Sequence, residues 1–214
     1  ASKVYVLLHL LRPDTSYLDT AVEFMTEDVA GFYVFNEKKM VLVADEGDID
    51  LIDEYYLSHE YTHSLQQKWV DDKRIDKLVE DESSEYSTTY SCVKEGDASF
   101  SAINYMQKTY GDDWYDMMID SRPDSTEEET AGDEERAATP AIDRYNSFNY
   151  DECVTFVYAV YDYFGNEGVD KLYDRLPATT EQILHYDKWD LKEKPLPVST
   201  KDYSKQLGAG WESV

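Results

Sequence analysis

The stretch LSHEYTHSLQQ, residues 57–67, decides how the rest of the chain is read. It sets His59 and His63 four residues apart, with Glu60 directly after the first. The chain holds 4 histidines in 214 residues, so two of them this close form a local concentration. Residues four apart share one face of an α-helix. His59 and His63 can therefore aim two imidazoles at one ion, and zinc takes nitrogen ligands at about 2.0–2.1 Å. Glu60 is turned by about 100° around the same helix. A carboxylate there lies beside the ion, where it can take a proton from water and return it to a leaving amine. The competing reading is two histidines on a polar helix face.

The surroundings favour a buried helix. In DIDLIDEYYLSHEYTHSLQQKWV (48–70), the apolar residues Leu51, Ile52, Tyr55, Tyr56, Leu57, Tyr61 and Leu65 are too closely spaced for strand alternation. Asp48 or Asp50 is the expected cap. Upstream, GFYVFN (31–36) and KMVLVAD (39–45) read as a β-hairpin around the polar turn Asn36–Lys39. KVYVLLHLLRP (3–13) and TSYLDTAVEFMTEDVA (15–30) read as helical pieces parted at Pro13.

A long second helix is expected over EYSTTYSCVKEGDASFSAINYMQKTYG (85–111), stopping near Gly111. Further helices are expected over YDECVTFVYAVYDYFG (150–165), VDKLYDRL (169–176) and PATTEQILHYDKW (177–189), the last capped by Thr179 or Thr180. Between them, residues 120–139 have almost no large apolar side chain and read as a mobile acidic loop. No internal repeat or second domain is visible. The expectation is one domain over residues 1–214, α+β and mainly helical, with a small hairpin beside the HEYTH helix.

Composition narrows the partners. Acidic residues outnumber basic ones 46 to 20, a net charge of −26, which disfavours nucleic acid and anionic membranes. No apolar run is long enough for a transmembrane helix, so no membrane insertion is expected. ASKVYVLLHLLRPD, at the start, lacks the pattern of a signal peptide. Cys92 and Cys153 could be buried thiols or one disulfide; a disulfide would fit an extracellular or cell-envelope setting. The oligomeric state is left open.

A catalytic zinc needs a third protein ligand and an open fourth position. HEYTHSLQQKW offers no third histidine, so the ligand must come from another helix. Candidates are Glu80, Glu82, Glu85 and Glu95. Glu95 is favoured because Gly96, Ala98 and Ser99 beside it would let two helices approach closely, with Asp97 or Ser99 available to orient a ligand. His185, ending TEQILH, is a candidate for stabilising an oxyanion, or it simply binds the last carbonyls of its helix. Tyr145, Tyr150 and Tyr158 are further candidate oxyanion donors.

Four motifs together carry a resemblance: AGFYVFN (30–36), HEYTHSLQQ (59–67), EGDASF (95–100) and TEQILHYDKW (180–189). In that order and spacing the chain resembles the gluzincin type of zinc metallopeptidase, and more narrowly a group of predicted prokaryotic metallopeptidases. The resemblance implies a zincin-like fold, a zinc cofactor, His59, His63 and Glu95 as ligands, and Glu60 as general base. It implies hydrolysis of a peptide or protein substrate held in extended form, with KMVLVAD as the strand that receives it. Tyr186 departs from the group, which has proline after ILH. The alternative is a non-catalytic peptide- or protein-binding module with a structural or vestigial zinc site.

Overall fold

The computed structural model describes residues 2–19, 22, 31–43, 49–81, 83, 85–120, 140–197, 199, 201, 203 and 206. In chain order the elements are α1 (Ser2–Leu7), β1 (Gly31–Val34), β2 (Lys39–Leu42), α2 (Leu51–Trp69), α3 (Asp72–Asp81), α4 (Glu85–Tyr110) and α5 (Trp114–Asp120). They continue with α6 (Pro140–Phe164), α7 (Asn166–Asp174), α8 (Thr180–Leu184) and α9 (Tyr186–Asp190). The described residues are mainly helical with one antiparallel two-stranded sheet, the coarse architecture the sequence leads one to expect. The expected acidic loop (apart from Asp120) and most of the second expected N-terminal helical piece lie outside the described residues.

The helix α2 starts where its cap predicts. The Asp50 carboxylate accepts the N–H of Ile52 (3.0 Å) and of Asp53 (2.9 Å), and the Asp53 side chain in turn accepts the Asp50 N–H at 3.2 Å. This reciprocal pair satisfies three of the donors that a helix start leaves open. Asp48, the other expected cap, lies outside the described residues. The hairpin forms with Gly31 opposite Leu42 and Val34 opposite Lys39. Gln67 ties it to α2 twice: its Oε1 accepts from the Tyr33 hydroxyl at 2.9 Å, and its Nε2 donates to the Phe35 carbonyl at 3.1 Å.

Three long helices set the frame. From α2 to α4 the paired residues run in opposite directions, Glu54 with Tyr105 and Gln66 with Lys94, so these helices are antiparallel. From α4 to α6 they climb together, Cys92 with Cys153 and Phe100 with Tyr158, so these two are parallel. Cys92 and Cys153 form a disulfide, with their Cα atoms 5.1 Å apart. Around it Val93, Phe156, Val157, Val160, Leu172, Ile183 and Trp189 make the main core. No helix among the described residues is long and apolar enough to cross a membrane.

Gly96 decides how close α4 and α6 come. A Cβ there would sit 2.5 Å from the Cys153 carbonyl oxygen and 2.9 Å from Val157 Cγ2. The close approach expected from the small residues of EGDA is therefore made, but against α6 rather than the histidine helix. Ser99 is the small residue that faces α2.

Candidate metal centre

His59 and His63 are both buried, each 7 % exposed, on the face of α2 turned to α4. Their Nε2 atoms lie 3.1 Å apart. His59, Glu60 and His63 form a group that could hold a metal ion, their donor atoms all lying within 4.8 Å of one another.

Across from them stands Glu95 of α4. Its Oε2 is 3.2 Å from His59 Nε2 and 3.4 Å from His63 Nε2. The two nitrogens and this oxygen thus form a triangle with edges of 3.1, 3.2 and 3.4 Å. Two ligands at 2.0–2.1 Å from a tetrahedral ion are about 3.3 Å apart, so the triangle has the size of one tetrahedral face. Of the two nearby carboxylates, Glu95 completes that face, and Glu60 sits beside it.

The far nitrogen of each ring is held. His63 Nδ1 donates to Gln66 Oε1 at 2.8 Å, and His59 Nδ1 faces Ser99 Oγ at 3.4 Å. Protons on both Nδ1 atoms leave both Nε2 lone pairs directed at the triangle. Gln66 is itself fixed. Its Nε2 shares two hydrogens among the Lys94 carbonyl (3.0 Å), Asp97 Oδ2 (3.0 Å) and the Tyr173 oxygen (2.8 Å), and Tyr173 donates to Asp97 Oδ2 at 2.6 Å. Burial raises the Asp97 carboxyl, opposed by the hydrogen bonds from Tyr173 and Gln66.

Glu95 and the two imidazoles also stabilise each other directly as acid and base. Burial would raise the Glu95 carboxyl, but hydrogen bonds and charge from His59 and His63 outweigh it and hold the group at about 2. Burial opposes charge on His63, yet hydrogen bonding and charge from Glu95, with Gln66 and Glu60 behind, raise it. With both imidazoles neutral and protonated on Nδ1, a negative oxygen and two lone-pair nitrogens would converge on one point, a donor set of the kind zinc takes.

Glu60 is half-buried beneath the hairpin. A Cβ at Gly31 would lie 3.7 Å from Glu60 Cγ, so the first residue of β1 packs close to the stem of this side chain. Lys39–Leu42 of KMVLVAD form β2, the partner of β1 in the same hairpin. Tyr150, on α6, lies within electrostatic reach of the same site: partial burial and then the charges of Glu95 and Glu60 raise its phenol. Tyr158 packs instead on Phe100, ring centroids 4.9 Å apart, and Tyr145 is exposed.

The other expected residues are placed elsewhere. Glu85 Oε2 accepts the Thr180 N–H at 2.7 Å and so caps α8. Glu80 is exposed, and Glu82 lies outside the described residues. His185 ends α8 with its Nε2 3.8 Å from Glu181 Oε1 and its side chain 55 % exposed. Among the described contacts none joins His185 to His59, Glu60, His63 or Glu95. Gln66 and Tyr173 were missed by sequence reasoning. Gln66 follows His63 by three residues inside the quoted stretch, where the helix repeat would have found it. Tyr173 carries no such signal.

No protein-family model matches the chain, and no curated protein or solved structure matches it either.

Proposed function

We propose that the chain is a zinc-dependent peptide hydrolase of zincin type, with His59, His63 and Glu95 holding the metal. The observation that carries this reading is the triangle of Nε2, Nε2 and Oε2 atoms with a free carboxylate, Glu60, beside it. The sequence resemblance to gluzincins supports the same ligand set. A bound zinc would supply Lewis acidity, lowering the pKa of water and polarising a carbonyl.

The chain's own residues do the rest. Glu60 takes a proton from the attacking water as its oxygen joins the peptide carbonyl carbon. It then delivers that proton to the amide nitrogen as the C–N bond breaks, leaving a carboxylic acid and an amine, between which the second water proton is then exchanged. Tyr150 is the favoured donor to the oxygen that becomes negative, its phenol raised by burial and then by the charges of Glu95 and Glu60. A peptide laid in extended form along the hairpin would run beside α2, because Gly31 of β1 packs close to the Glu60 side chain. The buried disulfide supports an extracellular or cell-envelope setting.

The test is digestion of a broad peptide library by the parent and by Glu60→Gln. The parent should cleave, and Glu60→Gln should keep its metal but lose cleavage. Equal cleavage by both would remove Glu60 as base. No cleavage by a metal-loaded parent would favour the binding module with a structural zinc site.

A further inference from the structure

A recess of about 390 Å³ opens where α4 begins, bordered by the segments Arg175–Gln182 and Trp189–Pro195. Tyr86, which lines it, lies nine residues before Glu95 on α4. That places it about 13 Å along the helix and half a turn around it, away from the metal centre. Its volume is in the range of small-molecule sites, about 300–1,000 Å³.

The charge of this recess opposes that of the chain. The protein carries −26, yet Arg175, Lys192 and Lys194 all line the recess. The one acid in the lining, Glu193, is drawn toward Lys188, with Oε1 3.4 Å from Nζ. Among the described residues neither Lys192 nor Lys194 has an ion-pair partner, and both are exposed. Arg175 is pre-set: its guanidinium lies 4.1 Å from the Trp189 ring centroid, and Nη1 donates to the Trp189 carbonyl at 3.0 Å. Among the described residues the remaining guanidinium donors have no hydrogen-bond partner. Lys192 is held in the left-handed region at φ 57°, its N–H donating to the Trp189 carbonyl at 3.1 Å. Tyr86, with the edges of the mostly buried Leu176 and Trp189, supplies a small apolar wall between the cations.

We propose that this recess binds a carboxylate carried on an apolar body, such as the C-terminal residue of a peptide or a medium-chain fatty acid. Arg175, Lys192 and Lys194 take the carboxylate, and the apolar wall takes the body. A planar guanidinium matches a carboxylate in two parallel hydrogen bonds, and local positive charge offsets the repulsion an anion meets elsewhere on this surface. The proposal does not depend on peptide hydrolysis.

The experiment is calorimetric titration of the purified protein with N-acetyl-leucyl-leucine, its C-terminal amide, and octanoate, before and after treatment with a chelator. At least one acid should bind below about 1 mM, and the amide should bind about tenfold or more weakly, since each charge-assisted contact is worth about that factor. Dipeptide binding without octanoate binding identifies a peptide C-terminus; the reverse identifies a free acid. Lys192→Asn with Lys194→Gln should weaken the acid by about tenfold or more. Asparagine tolerates the left-handed backbone at 192, and Lys194→Gln alone, at an exposed position, should act in the same direction. Three results overturn the proposal: no heat with any acid up to about 10 mM, unchanged affinity in the lysine variants, or loss of binding when the metal is chelated. The last result would put the carboxylate at the metal centre instead.

Discussion

Gly96 meets Cys153 so closely that a Cβ on the glycine would stand 2.5 Å from the Cys153 carbonyl oxygen and 2.7 Å from its carbonyl carbon. The obstacle is backbone, so no rotamer change relieves it. Gly96 is also next to Glu95, and the contact sets how far α4 stands from α6. Gly96→Ala should therefore lose stability, about 1–3 kcal/mol for overpacking, although alanine is the better helix former. Urea unfolding of the two proteins measures it. Equal midpoints would show that the helices have room to part.

Gln66→Ala should weaken zinc binding by about 10–100-fold, the usual effect of removing the partner of a ligating histidine. The change leaves His59, His63 and Glu95 in place, but frees His63 Nδ1 and takes one hydrogen bond each from Asp97 and Tyr173, which keep their bond to one another. A chelator competition gives the affinity. An unchanged value would mean that His63 is oriented by packing alone.

Glu85→Ala separates the two glutamates the sequence put in contention. Its carboxylate caps Thr180 rather than facing the histidines. The variant should keep the parent's zinc affinity and lose about 1 kcal/mol of stability, as for other lost helix caps. A strong drop in zinc affinity would mean that Glu85 reaches the metal.

The disulfide closes a loop with a sequence separation of 61 between Cys92 and Cys153. On the chain-entropy account a loop of that length stabilises by about 4 kcal/mol. Cys92→Ala with Cys153→Ala should lower the unfolding free energy by an amount of that order, read from urea melts. Little change would show that packing of α4 on α6 suffices without the bond.

The grouping of His59, Glu60 and His63, and the bounds of two helices, were legible because their signals are local. Two histidines at helix spacing, an Asp50 cap and the stop at Gly111 each rest on neighbours within a turn, and Gly111 does take φ 87°. The hairpin was legible from its two β-rich runs, although its strands are shorter than those runs. The helix α3, DKRIDKLVED, carries little signal in the sequence because charges dominate it and Ile75 alone is buried. The helix α6 starts at Pro140, ten residues before the apolar run that suggested it. The contact of Gln66 with Tyr173 spans 107 residues and follows only from how α7 returns over the core. His185 was singled out by its motif, yet its described contact is with Glu181 on its own helix.

The central claim is that Glu95, from a second helix, completes a zinc site begun by His59 and His63. Elemental analysis of the parent and of Glu95→Ala, both purified without chelators, tests it most directly. The account predicts about one zinc per chain in the parent and loss of most of it in Glu95→Ala, which lacks one of three protein ligands and the neutralising charge. A parent free of transition metal, or a Glu95→Ala protein that keeps its full complement, would contradict it.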